Sequence, residues 1–257
     1  MTISKYSGTE VIGMRRHMRM LPVFLVAAVA LVSGVAAPEV RAGVEVPLAS
    51  AKIIIEKNAT GQDAGIQIFL DGEPWKKLKI VSPDGRKIFV VKGKGSVKKL
   101  GLTELFFESE EPSVDELPLD EFLAMFPEGE YGFAGTTVEG DKLTGTAELS
   151  HDIPDGPIIV SPSPAEGATV DPDDTVITWN EVTTPAGIVI VGYQVTVVRQ
   201  EPLPLRVFSV DLPDSARSVK VPPEFLQAGA GYTLEVLAIE ENGNQTITEG
   251  SFETNGS

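Results

Sequence analysis

The stretch Leu226-Gln-Ala-Gly-Ala-Gly-Tyr232-Thr-Leu-Glu-Val-Leu-Ala-Ile239 decides the fold. A leucine in a crossover, followed six residues later by a tyrosine that opens an apolar run, is typical of a Greek-key β-sandwich. In that arrangement the tyrosine hydroxyl bonds to the backbone of the crossover and fixes the corner. The stretch therefore predicts that residues 158–257 form a β-sandwich.

Apolar runs at regular spacing support this prediction, because short strands between turn signals are typical of a sandwich. Asn242-Gly243 predicts the turn of the last hairpin. The seven predicted strands are Ile158–Val160, Thr175–Trp179, Val191–Val197, Leu205–Val210, Arg217–Val221, Tyr232–Ile239 and Gln245–Phe252.

This half of the chain resembles a fibronectin type III module at several residues. They are Pro162 and Pro164 near the first strand, Trp179 ending the second, Tyr193 in the third, and Leu226 with Tyr232 at the late corner. The resemblance implies that Trp179 and Tyr193 are core and framework residues. It implies no activity, because such modules are scaffolds whose function lies in their loops and faces.

The first half repeats the pattern of short apolar runs between turns. Ser82-Pro-Asp-Gly85 and Glu139-Gly-Asp141 supply residues that tolerate the left-handed conformation, so we expect hairpins there. The predicted strands are Lys52–Glu56, Gly65–Leu70, Lys77–Val81, Lys87–Val91, Thr103–Glu108, Tyr131–Val138 and Lys142–Leu149.

One helix is predicted among these strands. Leu119, Phe122, Leu123 and Phe126 recur at helical spacing, and Pro127 and Gly129 end the pattern. A crossover helix followed by Tyr131 repeats the layout of Leu226 and Tyr232. We therefore expect a second immunoglobulin-like sandwich with Tyr131 as its corner residue, the alternative being that Tyr131 is only a core aromatic.

The predicted organisation is a signal peptide (1–42), a tether (43–50), an immunoglobulin-like domain (51–150), a linker (151–157) and a fibronectin type III-like domain (158–257). His151-Asp-Ile-Pro-Asp-Gly-Pro157 is polar and short, so limited bending is expected. Gly101-Leu-Thr-Glu-Leu105 and Phe126-Pro-Glu-Gly-Glu-Tyr131 resemble the leading part of uncharacterised exported bacterial proteins. That resemblance implies no activity.

Residues 14–42 have the pattern of an export signal. Arg15, Arg16 and Arg19 precede the apolar run Leu21–Val32, and Val40-Arg-Ala42 is of cleavage type. We expect cleavage after Ala42 and a periplasmic or extracellular protein without a membrane span; the alternative is a retained anchor. The 13 residues before Met14 are unusual for a signal, so translation could begin at Met14.

Charge and cysteine content narrow the classes of partner. Cleavage would remove five of 21 basic and two of 37 acidic residues, leaving 16 basic and 35 acidic residues and a net charge of −19. This charge disfavours generalised binding to nucleic acid or anionic lipid. The chain has no cysteine, so it must be held by its core, which suits a bacterial envelope protein.

Catalytic side chains are scarce. The mature chain has one histidine, His151, beside Ser150 and Asp152, and neighbours in an extended segment point to different faces. Glu108, Glu110 and Glu111 precede Pro112 in a region typical of a solvated loop. We therefore expect no enzyme and no cofactor, with a carboxylate-dependent hydrolase as the remotest alternative.

Calcium is the ion that best suits these acidic loops, because it takes oxygen ligands. Neither of the two candidate groups has EF-hand spacing, and exposed turns use the same residues. The candidates are Glu56, Asn58 and Asp63 around the first turn, and Asp171, Asp173 and Asp174 with Asp211 or Asp214.

Charge is segregated within the first half. Residues 76–99 hold nine basic residues and one acid, whereas residues 104–155 hold 15 acids and one base. Either the charges compensate locally between strands, or the lysines form a face for an anionic envelope polymer or an acidic partner. The candidate partner-binding residues are Trp75, Lys76, Lys77, Lys79, Lys98 and Lys99, although Trp75 could instead cap the core.

The sequence thus favours a non-catalytic exported structural, adhesive or binding protein, with an envelope or extracellular protein or polymer as partner and no nucleic acid. A calcium- or glycan-binding module is the alternative, with Trp75 as the aromatic for a glycan. The oligomeric state is not predicted.

Overall fold

The computed structural model of the protein describes residues 43–163, 167–199 and 206–256. The predicted signal, residues 1–42, lies outside the described residues, as do Pro164 and Leu205. The described part is mostly β-strand, which confirms the prediction of an all-β chain. None of its helices is long and apolar enough to cross a membrane.

The second half is a sandwich of two sheets. Its strands are β8 (Ile159–Ser161), β9 (Thr169–Val170), β10 (Val176–Trp179), β11 (Ile190–Arg199), β12 (Val207–Pro213), β13 (Ser218–Lys220), β14 (Gly231–Glu240) and β15 (Gln245–Thr254). One sheet has the order β8-β10-β13, and the other continues as β15-β14-β11-β12, with β9 on the outer side of β15. This is the layout implied by the resemblance to a fibronectin type III module, and it confirms that prediction.

Aromatic side chains fill the core of this half. The rings of Trp179 and Tyr193 lie 5.5 Å apart, and that of Tyr232 stacks on Phe252 at 5.2 Å. The backbone N–H of Gln227 donates to the Tyr232 hydroxyl at 2.7 Å, beside the buried Leu226. The corner predicted from this leucine and tyrosine is thus present.

The first half is built around one long strand. Its elements are β1 (Glu45–Pro47), β2 (Ser50–Asn58), β3 (Asp63–Val81), β4 (Lys87–Lys92), α1 (Gly95–Leu100), β5 (Leu102–Glu108), α2 (Leu119–Met125), β6 (Gly129–Thr137) and β7 (Lys142–Leu149). The opening part of β3 pairs with β2 and β5, and its closing part pairs with β4 and β6. The two predicted strands Gly65–Leu70 and Lys77–Val81 are therefore one.

Between those two parts the register of β3 shifts around Trp75. Gly72 and Pro74 lie there, as expected for a bend in a strand. Residues on both sides of this shift are buried in one hydrophobic cluster, among them Ile68, Trp75 and Ile80.

Tyr131 opens the repeated layout of the first half. It is 0 % exposed, and its hydroxyl donates to the carbonyl of Pro127 at 3.0 Å, just beyond the end of α2. Tyr131 is thus a core aromatic that also binds the backbone of the preceding crossover.

A shared sheet connects the two halves. Gln245–Ile247 of β15 pair in parallel with Glu56–Asn58 of β2, so the large sheet of each half continues into the other. The buried Asn244 side chain accepts a hydrogen bond from the N–H of Ile55 at 2.9 Å and donates to the carbonyls of Ser150 and Asp152 at 3.0 Å. Asn244 therefore attaches the start of the segment 151–157 both to β2 of the first half and to the second half.

Three local expectations differ from the structure. Residues 45–47, inside the predicted tether, form β1 and pair with β7. The short helix α1 was not predicted, because its six residues lie between glycines and bury no side chain. β9 is only two residues long, too short to show a period in the sequence.

Candidate functional site

Lysines of the first half share one exposed surface. Lys77 and Lys79 lie on β3 and point outward, because Leu78 and Ile80 between them are buried. Lys92 of β4 lies directly opposite Lys77. We call these three lysines, together with their neighbours in the chain, the basic face; the neighbours are Lys76, Lys87, Lys94, Lys98 and Lys99.

The basic face has no described acidic partner. The ion pairs among the described residues are Arg86–Asp84, Lys142–Glu45, Arg217–Glu181 and Lys220–Asp174, and none includes a lysine of this face. Lys76 donates to the carbonyl of Val138 at 3.3 Å. Like charges directly opposite each other, as at Lys77 and Lys92, destabilise a sheet. Within residues 76–99, the described ion pair is that of Arg86 with Asp84, and no described ion pair compensates the lysines of the basic face.

The side chains beside Lys77 and Lys79 are short. Thr136 and Ala134 of β6 lie opposite Lys77 and Lys79, and Val90 of β4 lies opposite Lys79 on the other side. Val90 is 56 % exposed. Short neighbours leave the lysine ammonium groups accessible to a partner.

Trp75 lies in the core rather than on the basic face. It is 0 % exposed and packs in the hydrophobic cluster of the first half. The bend in β3 turns its ring inward, so the exposed aromatic for a partner or a glycan is not available, and the core-capping alternative describes its position.

A second site lies near the junction of the halves. Glu56 of β2, Glu108 of β5 and Glu111 each place a carboxylate oxygen within 4.8 Å of the others. We call these three residues the carboxylate cluster. Glu56 is 1 % exposed and accepts a hydrogen bond from Gln245 Nε2 of the second half, whereas Glu108 accepts one from Gln67 Nε2 at 2.9 Å.

Proton affinity in this region is unusually high. Burial, and then the charges of Glu108, Glu56 and Asp63, raise the pKa of Glu111 to about 8. Burial, and then Glu249 and Glu56, raise the pKa of Glu235 to about 7. Burial and Glu249 also raise the pKa of Asp63. A proton or a cation would relieve the repulsion among these groups.

Sequence reasoning recognised only one member of the carboxylate cluster. Glu108 and Glu111 were expected in a solvated loop, but both are partly buried, and only Glu110 of that group is exposed. Pairing of β5 with β3 and of β2 with β3 brings Glu108 and Glu56 together. The alternation of residues along β5 was a signal in the sequence that Glu108 faces inward. No signal in the sequence showed that β5 and β2 would pair with the same strand.

The other calcium candidates have other roles. The Asn58 side-chain oxygen accepts hydrogen bonds from the N–H groups of Thr60 and Gly61, which closes the first turn. Asp63 has a buried oxygen without a hydrogen-bond partner, but it lies outside the carboxylate cluster.

The second predicted group is a turn. Asp171 accepts from the N–H of Asp173 at 2.9 Å, and Asp174 pairs with Lys220 at 2.9 Å. Asp211 accepts from Gln194 at 2.7 Å. Within the described ranges, these aspartates do not bring three carboxylates together.

His151 contacts backbone rather than a nucleophile. Its Nε2 lies 2.8 Å from the carbonyl of Phe126, and its N–H donates to Glu128 at 2.7 Å. The Ser150 hydroxyl instead contacts Asn244 Nδ2 at 3.2 Å and the N–H of Asp152 at 3.3 Å. These contacts hold the linker and do not form a Ser-His-Asp relay.

A shallow cavity of about 390 Å³ lies away from both sites. It is lined by Pro47, Leu48, Ala49, Asp71, Gly72, Glu73, Pro74 and Thr103. None of these residues belongs to the basic face or to the carboxylate cluster, and the cavity has no aromatic ring for a sugar to stack on.

No protein-family model matches the chain. No curated protein matches it either.

The solved structures to which the chain is similar include fibronectin type III domains. The FN1-FN3 domains of chicken CNTN1 are 11 % identical, with 83 % of this chain and 66 % of that chain covered and a TM-score of 0.35. This chain therefore spans slightly less than two thirds of that segment. A two-domain segment from chicken tenascin is 12 % identical (80 % and 98 % covered, TM-score 0.29).

The fn3 domain of the human collagen alpha-1(XX) chain is 23 % identical over 40 % of this chain and 85 % of that one, with a TM-score of 0.29. These likenesses concern layout alone. The fold is assigned from the strand order and from the hydrogen bond of Tyr232 in the second half.

Proposed function

We propose that the chain is an exported, non-catalytic binding protein whose basic face binds an anionic partner. The observation that carries this proposal is the position of Lys77 directly opposite Lys92, both exposed and neither in an ion pair among the described residues. Such a pair costs stability in the free protein, and a bound anion would offset that cost.

The setting of the basic face suits this role. Strands β3 and β4 are part of a packed sheet, so the lysines project from a rigid surface rather than from a loop. The arginine-led apolar segment before Ala42 supports a periplasmic or extracellular location. An anionic polymer or an acidic protein of the envelope would meet the lysines there.

Calorimetry with inorganic polyphosphate tests the proposal. We expect the double variant Lys77→Glu/Lys79→Glu to bind at least about tenfold more weakly than the native chain, because two attractive charges become repulsive. The matched control is Lys52→Glu, an exposed lysine of β2 outside the basic face, which should bind like the native chain. No binding by the native chain, or equal loss in the control, would overturn the proposal.

A calcium-binding function is the second candidate, and the carboxylate cluster is the observation that favours it. Three carboxylate oxygens within 4.8 Å of one another are donors of the type that calcium takes. The cluster includes Glu56 of the original candidate group and joins residues of β2 and β5. Binding there would also stabilise the nearby junction.

Thermal unfolding with and without calcium tests this second function. The native chain should melt at a higher temperature with calcium, and Glu108→Gln should lose most of that increase because it removes a charged ligand. The matched control is Glu104→Gln, which changes an exposed carboxylate on the same strand. An unchanged melting temperature in the native chain would contradict calcium binding.

Glycan binding and carboxylate-dependent hydrolysis receive less support. Trp75 is buried, so a glycan would lack the aromatic surface on which that alternative depended. A hydrolase needs two carboxyl groups that flank a substrate. Glu56 is 1 % exposed and borders the junction, which favours bound cations over a substrate chain.

A further inference from the structure

Helix α1 carries an apolar pair that the fold leaves uncovered. None of its residues is buried; Val97 is 46 % exposed and Leu100 is 78 % exposed, the largest exposure among the large apolar side chains of the described ranges. Val97 and Leu100 are three residues apart, so they lie on the same side of the helix.

Lysines surround this pair. Lys98 and Lys99 lie between the two apolar residues in the chain, Lys94 precedes the helix, and Lys92 ends the preceding strand. All four lysines are exposed, and none forms an ion pair within the part of the chain that the structure describes. Helix α1 therefore presents an exposed apolar pair with lysines close to it in the chain. We call the pair and these four lysines the tip.

The backbone holds this tip in place. The N–H of Gly93 donates to the carbonyl of Lys76 at 3.0 Å, which attaches the start of the segment to β3. Gly101 follows the helix with a φ of 83°, and a Cβ there would lie 2.7 Å from side-chain atoms of Pro74 and Val138. Because glycine permits this close approach, the end of α1 is held against Pro74 and Val138. This contact keeps Val97 and Leu100 in a fixed position.

We propose that α1 and the adjoining basic face dock onto an anionic lipid bilayer, an inference that rests on the proposed function of the basic face. Lysines would contact the lipid phosphates, and Val97 with Leu100 would enter the boundary between headgroups and acyl chains. A soluble polyanion would satisfy the lysines but would leave the apolar pair in water, which is why the bilayer fits this surface better.

The acidity of the rest of the chain is compatible with this docking. Repulsion between distant carboxylates and the lipid is screened within about 10 Å at moderate salt, whereas the lysines of the tip would lie in contact with phosphates. Glu73 of β3 and Glu139 in the turn between β6 and β7 are exposed acids, and neither pairs with a lysine of the basic face in the described ranges.

Vesicle flotation with the full chain tests the inference. The native chain should float with vesicles of phosphatidylglycerol and phosphatidylcholine and should not float with phosphatidylcholine alone. Val97→Ser/Leu100→Ser should reduce binding to the anionic vesicles at least about tenfold and leave binding to inorganic polyphosphate unchanged. The matched control is Ile158→Ser/Val160→Ser, an exposed apolar pair of the second half, which should bind like the native chain.

A site-specific signal separates insertion from charge contact. The native tryptophans Trp75 and Trp179 are buried, so the fluorescence of Leu100→Trp should shift to shorter wavelength when anionic vesicles are added and remain unshifted with polyphosphate. Vesicle binding that survives Val97→Ser/Leu100→Ser, without a fluorescence shift, would overturn the lipid inference and leave the basic face as a polyanion site. Failure to bind either vesicles or polyphosphate would overturn both proposals.

Discussion

The two halves close their crossovers with a tyrosine, but the hydrogen bonds run in opposite directions. In the second half the Tyr232 hydroxyl accepts from the N–H of Gln227 at 2.7 Å. In the first half the Tyr131 hydroxyl donates to the carbonyl of Pro127 at 3.0 Å. Both tyrosines are 0 % exposed and open a strand after a crossover.

The difference follows from what each crossover leaves unpaired. The first crossover ends at Pro127, just after α2, and a proline has no backbone N–H, so it can offer the tyrosine only its carbonyl. The crossover of the second half presents an N–H instead. A hydroxyl can serve as donor or acceptor, so one residue type fixes two unlike corners. A repeated sequence layout therefore does not require a repeated hydrogen bond or a repeated topology.

Removing the side chain that links the halves should have the largest effect. Asn244→Ala leaves the N–H of Ile55 and the carbonyls of Ser150 and Asp152 without these partners, so we expect a loss of about 3 kcal/mol in the free energy of unfolding. Chemical denaturation followed by two probes should show the halves separating into two transitions. Asn255→Ala, at an exposed site, is the control and should unfold like the native chain. A single native-like transition in Asn244→Ala would contradict the shared junction.

Tyr232→Phe should cost about 1.5 kcal/mol, measured by urea denaturation. It leaves the N–H of Gln227 without its hydroxyl acceptor, and unpaired N–H groups are tolerated less than carbonyls. The ring contact with Phe252 at 5.2 Å is retained, so the loss reports the hydrogen bond. A loss no larger than that in the corresponding variant of the first half would remove the distinction between the two corners.

Tyr131→Phe should cost less, about 1 kcal/mol by the same measurement. The carbonyl of Pro127 loses its donor, but a carbonyl has two lone pairs and only partly loses its hydrogen bonding. If Tyr131→Phe proved neutral, Tyr131 would be a core aromatic alone.

Glu235→Gln should change stability only at high pH. The raised pKa of about 7 means that the native state retains a proton which the unfolded chain releases above about 4.5, so stability falls as pH rises between these values. We expect Glu235→Gln to melt several degrees higher than the native chain at pH 8 and at the same temperature at pH 4. The exposed Glu253→Gln is the control. A higher melting temperature at both pH values would show that ionisation is not the cause.

Strands could be predicted where their own residues show a clear pattern, and not where pairing with distant strands decides the structure. Strand β7 was predicted with its observed bounds, because Leu143, Ala147 and Leu149 alternate with polar residues. The long β3 was not, because Asp71-Gly-Glu-Pro74 has the composition of a turn and lies inside a continuous bent strand. Sequence patterns fix local conformation, whereas the pairing of β2 and β5 with this strand decides whether it continues.

The two candidate sites also differ in how far they could be predicted from the sequence. The lysines of the basic face are neighbours in the chain, on the hairpin of β3 and β4 and on the segment through α1 that follows it, so their clustering was predictable from residues 76–99. Glu56, by contrast, meets Glu108 and Glu111 only through the pairing of distant strands. The same pairing buries Trp75, since the bend in β3 determines which side of the sheet its ring occupies.

The most direct test of binding through the basic face is a map of backbone amide chemical shifts as inorganic polyphosphate is added. If polyphosphate binds there, the shifts should concentrate in β3, β4 and α1, within residues 76–99, and β11, β14 and β15 of the second half should change little. Shifts centred on the second half, or no saturable shifts at all, would contradict binding through the basic face.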